Sequence, residues 1–184
     1  MATVHLQRDI DGRILDLGGG GEGVIGRLYQ EKVTAIDIRQ DELDEAPAGP
    51  EKRLMDARAL DFIDASFDHV TAFYFFMYLP KADHPQALRE AYRVLRPGGQ
   101  LHIWDAVIEE DALFMVDLDV DLEGQRLHTG YGVQKSDPVQ DMAHFLALAK
   151  AAGFLPKSTA QSEGQLCLHL EKPPLGGQKE AGPS

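Results

Sequence analysis

The run Asp16-Leu-Gly-Gly-Gly-Gly-Glu-Gly23 constrains this chain more than any other stretch of it. It follows Arg13-Ile-Leu-Asp-Leu17, a short apolar run that reads as a buried strand. Val24 to Gln30 then has helical spacing, with Val24, Ile25 and Leu28 facing inward. Gly18, Gly20 and Gly23 satisfy Gly-x-Gly-x-x-Gly. Missing side chains let the backbone turn sharply and approach a ligand closely. N–H groups at the start of the following helix face that ligand. Alone the pattern is weak. Between a strand and a helix it marks the ligand crevice of an open α/β sheet.

The chain after the loop keeps alternating. Lys32 to Asp37 reads as a second strand, Gln40 to Glu45 as a short acidic helix, and Lys52 to Asp56 as a third strand. Asp68 to Phe73 is the fourth strand, rich in aromatic and β-branched residues. His84 to Leu95 is a helix with Pro85 in its first turn, followed by a tight turn at Arg96-Pro-Gly-Gly99 and a fifth strand, Gln100 to Asp105. Strand–helix alternation with short turns predicts parallel βαβ units with helices on both faces. The pattern then changes. Phe114 to Leu122 alternates apolar and acidic residues, Glu123-Gly124 is a turn, and Arg126 to Val133 returns. This predicts an inserted β-hairpin after strand five. A helix from Asp137-Pro138 to about Ala152 and strands at Phe154 to Ala160 and Gln165 to Leu170 complete a single domain over residues 1–172. Residues 173–184, rich in Pro, Gly and charge, have the composition of a disordered tail.

Bulk properties narrow the function classes. The 184 residues fit one domain. The net charge of −12 opposes binding to a polyanion, and Arg89, Arg93 and Arg96, at helical spacing, read as a solvated helix face. No apolar run is long enough to span a membrane, and the N-terminus has no apolar signal segment. The lone Cys167 cannot form an internal disulfide, which agrees with a cytoplasmic setting.

Asp37 ends the second strand about 20 residues past the loop, where a carboxylate can accept two hydrogen bonds from a ribose diol. To this point a nicotinamide-dependent oxidoreductase fits almost as well. Asp16 separates the two readings: a negative charge two residues before the first glycine repels a pyrophosphate and suits a ligand carrying an ammonium group.

At these residues the chain resembles the class I, Rossmann-like S-adenosylmethionine (SAM)-dependent methyltransferases, in the subgroup with a generic small-molecule methyltransferase domain. Ile14-Leu-Asp-Leu-Gly-Gly-Gly-Gly looks like their first motif and Ala35-Ile-Asp-Ile38 like the acidic motif of strand two. Met55-Asp-Ala57, Phe67 to Leu79 and Tyr92-Arg-Val-Leu-Arg-Pro-Gly-Gly99 are similar to the later motifs, in the right order. The resemblance implies a doubly wound, mostly parallel seven-stranded sheet whose last strand is antiparallel. It implies that Gly18, Gly19 and Gly20 line the methionine part of SAM, that Asp16 approaches its amino group, and that Asp37 holds the ribose. Ile38 would pack on adenine, Asp56 would bond the adenine amino group with Ala57 beside it, and Phe73 would lie near the reacting sulfur.

The chain also departs from the family. Only about a dozen residues precede the first strand, which leaves little material for an N-terminal lid. Met77-Tyr78 stands where the family often has a histidine pair, and no Asn/Asp-Pro-Pro-Tyr/Phe motif is present. Methyl transfer from a sulfonium chiefly requires alignment, so a general base is optional. The candidates for one are Tyr74, Tyr78, Asp105 and His128, with Tyr131 beside His128 on the hairpin. His102 and His144 read as packing or capping residues. Asp117, Asp119 and Asp121 share one strand face and read as the wet face of an edge strand rather than a metal site. The expected activity is methylation of a small molecule. The rivals are a non-catalytic SAM-binding module, in which an exposed hairpin serves a homodimer, and an NAD-dependent oxidoreductase.

Overall fold

The computed structural model describes residues 2–108, 113–134, 139–162 and 164–175. Fourteen helices and strands follow one another: β1 (Ala2–Leu6), β2 (Ile14–Leu17), α1 (Val24–Tyr29), β3 (Val33–Asp37), α2 (Gln40–Glu45), β4 (Glu51–Leu54) and β5 (Phe67–Phe73), then α3 (His84–Val94), β6 (Leu95–Ala106), β7 (Leu113–Leu122), β8 (Gln125–Gln134), α4 (Met142–Ala152), β9 (Leu155–Ser162) and β10 (Gln165–Glu171). The main sheet has seven strands in the order β4-β3-β2-β5-β6-β10-β9. β4, β3, β2, β5 and β6 are mutually parallel, and β10 runs antiparallel to both β6 and β9. This is the expected doubly wound sheet, with the antiparallel strand where the resemblance put it.

Successive strands are added leftward from β2 to β4 and rightward from β5, so the strand order reverses between β2 and β5 and the crevice above their carboxyl ends is the natural ligand site. All four residues of β2 are buried, as a central strand covered on both faces requires. On one face α3 and α4 bury Leu88, Ala91, Val94, Phe145 and Ala149 against the sheet. The other face is covered by α1 and by a second, three-stranded sheet of order β1-β7-β8.

That second sheet corrects the expectation of little N-terminal cover. The first residues form a strand, β1, pairing parallel with β7 from Ala2↔Leu118 to Leu6↔Leu122. Val4 and Leu6 are buried with Leu118, Val120 and Leu122 of β7. The hairpin itself is as expected: ten residues per strand, joined at Glu123-Gly124, both with positive φ. Asp117, Asp119 and Asp121 face away from this core. Asp121 meets His5 at 3.4 Å and Asp119 meets His128 at 3.2 Å.

Other boundaries shift. Strand six begins at Leu95, so Arg96–Gly99 is irregular strand rather than a free turn. The last helix starts at Met142, later than the sequence suggests. Asp141 caps it by accepting from the His144 N–H at 2.7 Å, and Gln140 is held in a bridge with Ile108. The expected start at Asp137-Pro138 lies outside the described residues, as does most of the C-terminal tail, residues 176–184. The three arginines at helical spacing are engaged locally. Arg93 bonds Glu90 and Asp64, Arg89 bonds Gln86, and Arg96 bonds Asp68.

Candidate active site

The glycine loop between β2 and α1 is shaped by contacts that admit no side chain. At Gly18, φ is +70° and an added Cβ would lie 2.7 Å from the Phe75 ring. At Gly20 it would lie 2.6 Å from the Glu42 Cβ and 2.8 Å from an Asp37 carboxylate oxygen. The loop is pinned to α2 and β3: the Gly21 N–H donates to the Glu42 carbonyl at 2.8 Å and the Gly19 N–H to the Ile36 carbonyl at 3.0 Å. The Gly19 N–H is therefore closed to a ligand.

A cavity of about 980 Å³ opens above this loop, at the upper end of the range for small-molecule sites. It gathers residues spread over most of the sequence. Asp16, Gly18, Gly19, Gly20, Asp37, Ile38, Asp56, Ala57 and Phe73 all line it. So do three of the four candidate bases, Tyr74, Tyr78 and His128. The fourth, Asp105, does not. It is fully buried and accepts hydrogen bonds from the Phe76 N–H, the Ala106 N–H and the Gln140 side chain, each at 2.8 Å. Its carboxyl ties the turn after β5 to the segment before α4, and burial pushes its pKa up to about 7. That is a structural role.

Three carboxylates along the cavity differ in their surroundings. Asp16 is 3% exposed, and its side chain accepts from the Thr71 hydroxyl at 2.7 Å. Register explains that contact, because β2 and β5 pair Asp16 with Thr71. Burial pushes the Asp16 pKa up to about 7; Thr71 pulls it down and the Asp37 charge adds to the rise. Such a carboxyl is under-compensated and would gain from a cationic partner. Asp37 ends β3 and accepts from the Arg39 N–H at 3.0 Å. Next to it Ile38 is 62% exposed, an apolar surface open toward the cavity. Asp56 is gripped by Arg58 through contacts of 2.7 and 3.0 Å, which hold its carboxyl below the usual range. Arg58 is fixed in turn by Asp83 at 2.7 Å. With the Arg58 backbone N–H also donating at 2.8 Å, each Asp56 oxygen already accepts two hydrogen bonds, so a ligand donor there has to share or displace an Arg58 contact.

The far end of the cavity is aromatic. Tyr74, in left-handed backbone at φ +51°, stacks on Tyr131 of β8 with centroids 4.9 Å apart and planes within 6°. Phe73 meets both rings edge-on. The Tyr78 hydroxyl accepts from the Gly132 N–H at 3.2 Å. Burial raises the pKa of Tyr74, Tyr78 and Tyr131, so these hydroxyls are donors rather than bases at neutral pH. His128 sits at the rim, its ring 3.2 Å from Asp119. The sequence named Tyr131 only in passing and missed Thr71, Phe75, Glu42 and Arg58. Only the last had a legible signal, a basic residue two positions after Asp56.

Comparison with known proteins bears on the family and the fold. A family model described as a methyltransferase domain matches residues 15–103. The chain is 32% identical over 158 residues to the 27-O-demethylrifamycin SV methyltransferase of Amycolatopsis mediterranei, covering 79% of this chain and 55% of that protein. It is 43% identical over 75 residues to the demethylmenaquinone methyltransferase of Listeria monocytogenes, covering 41% of this chain and 27% of the relative. The chain thus spans about half or less of the length of these relatives. The fold superposes on an S-adenosylmethionine-dependent methyltransferase from Mesorhizobium loti with a TM-score of 0.64 at 16% identity, over 86% of this chain and 90% of that one. By its motif order, its sheet and its matched residues, the chain carries a methyltransferase domain of the class I, Rossmann-like family.

Proposed function

We propose that the chain transfers a methyl group from SAM to a small-molecule acceptor. The observation that carries the reading is one continuous cavity joining Asp56 and Asp37, through Asp16 and the glycine loop, to the wall of Phe73, Tyr74 and Tyr131. SAM, when bound, supplies an electrophilic methyl group on a sulfonium. The residues present fit it. Asp16 offers a buried carboxylate to the amino group, Asp37 an acceptor pair to the ribose diol, and Ile38 with Ala57 an apolar surface to the purine. Asp56 stands at the adenine end, where the adenine amino group would share its carboxylate with Arg58. The backbone of Gly18 and Gly20 lines the methionine chain. Tyr74, Tyr78 and Tyr131 exclude water from the acceptor end and donate hydrogen bonds there. His128, at the rim beside Asp119, is the candidate base among them.

The N-terminal 172 residues act as one domain in this reading. Among the described residues no helix is long and apolar enough to cross a membrane. The acidic charge favours a partner other than nucleic acid, and the lone cysteine fits the cytoplasm. A homodimer is compatible with the exposed strand β9, all eight of whose residues are exposed.

The deciding experiment is isothermal titration with S-adenosylhomocysteine (SAH), beside Asp37→Ala and with NAD as control. Micromolar binding, about −8 kcal/mol, that is lost in the variant is expected. Binding of NAD without SAH would move the protein to redox chemistry. A non-catalytic binding module is the second reading, favoured by an aromatic end built from Tyr74, Tyr78 and Tyr131, whose hydroxyls burial keeps protonated. It predicts SAH binding with no turnover on any acceptor.

A further inference from the structure

The acceptor wall of the cavity is a strand edge. β8 is the outer strand of the three-stranded sheet, and its residues His128 to Tyr131 line the cavity. Gly132 donates its N–H to the Tyr78 hydroxyl, away from β7. The β7–β8 register runs without a shift from Leu113↔Gln134 to Leu122↔Gln125. In an antiparallel pair, inward and outward residues alternate. Gly130 and His128 therefore present their N–H and C=O on the same outward edge as Gly132. No described residue bonds the outward groups of His128 or Gly130.

The two glycines on this edge are not required by the fold. Neither has a positive φ. A Cβ at Gly132 would make ordinary contact, 3.4 Å from Met115 Cγ, and one at Gly130 would lie 3.2 Å from the Asp117 carboxylate oxygen, the end of an exposed side chain. Glycine inside a strand weakens it, and its use marks close approach by a ligand or another backbone. Here the glycines leave bare the Asp117 and Met115 face of the strand, while the strand edge beside them opens on the cavity, where the Tyr78 hydroxyl already occupies one position in the way a partner strand would.

We propose that the acceptor is peptide-like: an extended chain of secondary amides that pairs with the β8 edge at Gly130 and His128, as an added strand does. Main-chain pairing positions the acceptor, and the aromatic wall of Tyr74 and Tyr131 selects the group presented for methylation. Glu22 and Glu42 on the same cavity disfavour an acidic peptide. The inference rests on the methyltransferase reading of the cavity.

The test uses the full chain labelled with ¹⁵N-glycine, with the resonances of Gly130 and Gly132 assigned from Gly130→Ala and Gly132→Ala. SAH is added first, and movement of the Gly18 and Gly20 amides reports the cofactor site. An N-acetylated, C-amidated Ala-Ala-Lys-Ala peptide is then titrated, beside the same peptide N-methylated at its central amides and beside catechol. The expected result is a saturable shift of the Gly130 amide with the peptide, weakened roughly tenfold by N-methylation, which removes the donors. A Gly130 amide unmoved by the peptide while SAH binds overturns the proposal and leaves the methyltransferase reading standing. Equal shifts from the N-methylated peptide or from catechol overturn it as well, because main-chain pairing then has no part. If SAH itself moves nothing, the methyltransferase reading falls and takes this inference with it.

Discussion

Asp16 carries the chemistry of the cofactor end at the cost of the stability of the empty protein. Its carboxyl is pushed up to about 7 by burial, whereas an unfolded aspartate titrates near 3.8. The folded state therefore binds this proton more tightly than the unfolded one. Its stabilising contribution is complete below about pH 4 and is lost as pH rises through 7. Asp16→Asn removes that penalty, and the variant should be more stable than the native chain by a few kcal/mol at pH 8, with the gain shrinking to near zero at pH 4. Thermal unfolding across that range reads it. Ligand binding should move the other way. An ammonium ligand favours the charged carboxylate, so native affinity for SAH rises with pH up to about 7 and then levels, while Asp16→Asn binds weakly with no such slope. A native affinity that is flat from pH 5.5 to 8.5 would remove Asp16 from the amino-group role. The position of Asp16 before the glycines was legible in the sequence. Its partner Thr71 was not, because 55 residues separate them and register between β2 and β5 is set by packing.

Elements were legible where a period is strong and pairing is local. The β7–β8 hairpin shows strict alternation and a turn at Glu123-Gly124, and both survive in the fold. β1 was not legible, since it is short and its partner β7 lies 116 residues away in chain order. The late start of α4 has a similar origin: Asp137-Pro138, a good opening by local rules, lies outside the described residues, while Gln140 pairs with Ile108 and Asp141 caps the helix. β1 and β7 together place β8 beside the cavity, so the second sheet is a positioning device for Tyr131 and Gly130. Leu118 is the fully buried centre of that device. Leu118→Ala should cost about 2–5 kcal/mol, measured by urea unfolding. Because the cofactor end rests on the main sheet, the variant should weaken acceptor turnover more than SAH binding. Equal losses in both would mean that the two sheets do not divide the work.

A row of histidines shows how the whole molecule decides what a local reading cannot. His69, His102 and His169 stand on three adjacent strands of the main sheet. His69 and His102 share a ring-nitrogen contact of 3.1 Å, and the His102 and His169 rings lie 4.7 Å apart. Burial, with the neighbouring His169 and His69, drives His102 down to about 3. It is neutral in the fold, and an unfolded imidazole takes up a proton below about 6.5. Stability from this residue is thus complete above 6.5 and is lost as pH falls toward 3, by about 3 kcal/mol at pH 4. The advantage of the native chain over His102→Asn should narrow by that amount between pH 7 and pH 4. A constant gap would show that the ring takes up a proton without leaving the fold.

The two edges of the seven-stranded sheet are unlike, and the difference bears on assembly. β4 is four residues, Glu51-Lys-Arg-Leu, and its charges deter another strand. β9 is eight residues, exposed throughout, with Lys157 as its one charge. Pro156 and Lys157 blunt its first half, but the uncharged run from Ser158 to Ser162 is a template for pairing, and two copies can meet there only through a twofold axis, β9 against β9. The charge of −12 opposes that meeting, and salt screens it. Light scattering should therefore find a mass that rises toward twice the monomer as sodium chloride goes from tens of millimolar to about 0.5 M. Thr159→Lys, which places a charge at the middle of the edge and touches no cavity residue, should hold the chain monomeric at every salt concentration. A native chain that stays monomeric throughout, or a Thr159→Lys variant that still doubles, would show that β9 is not the contact.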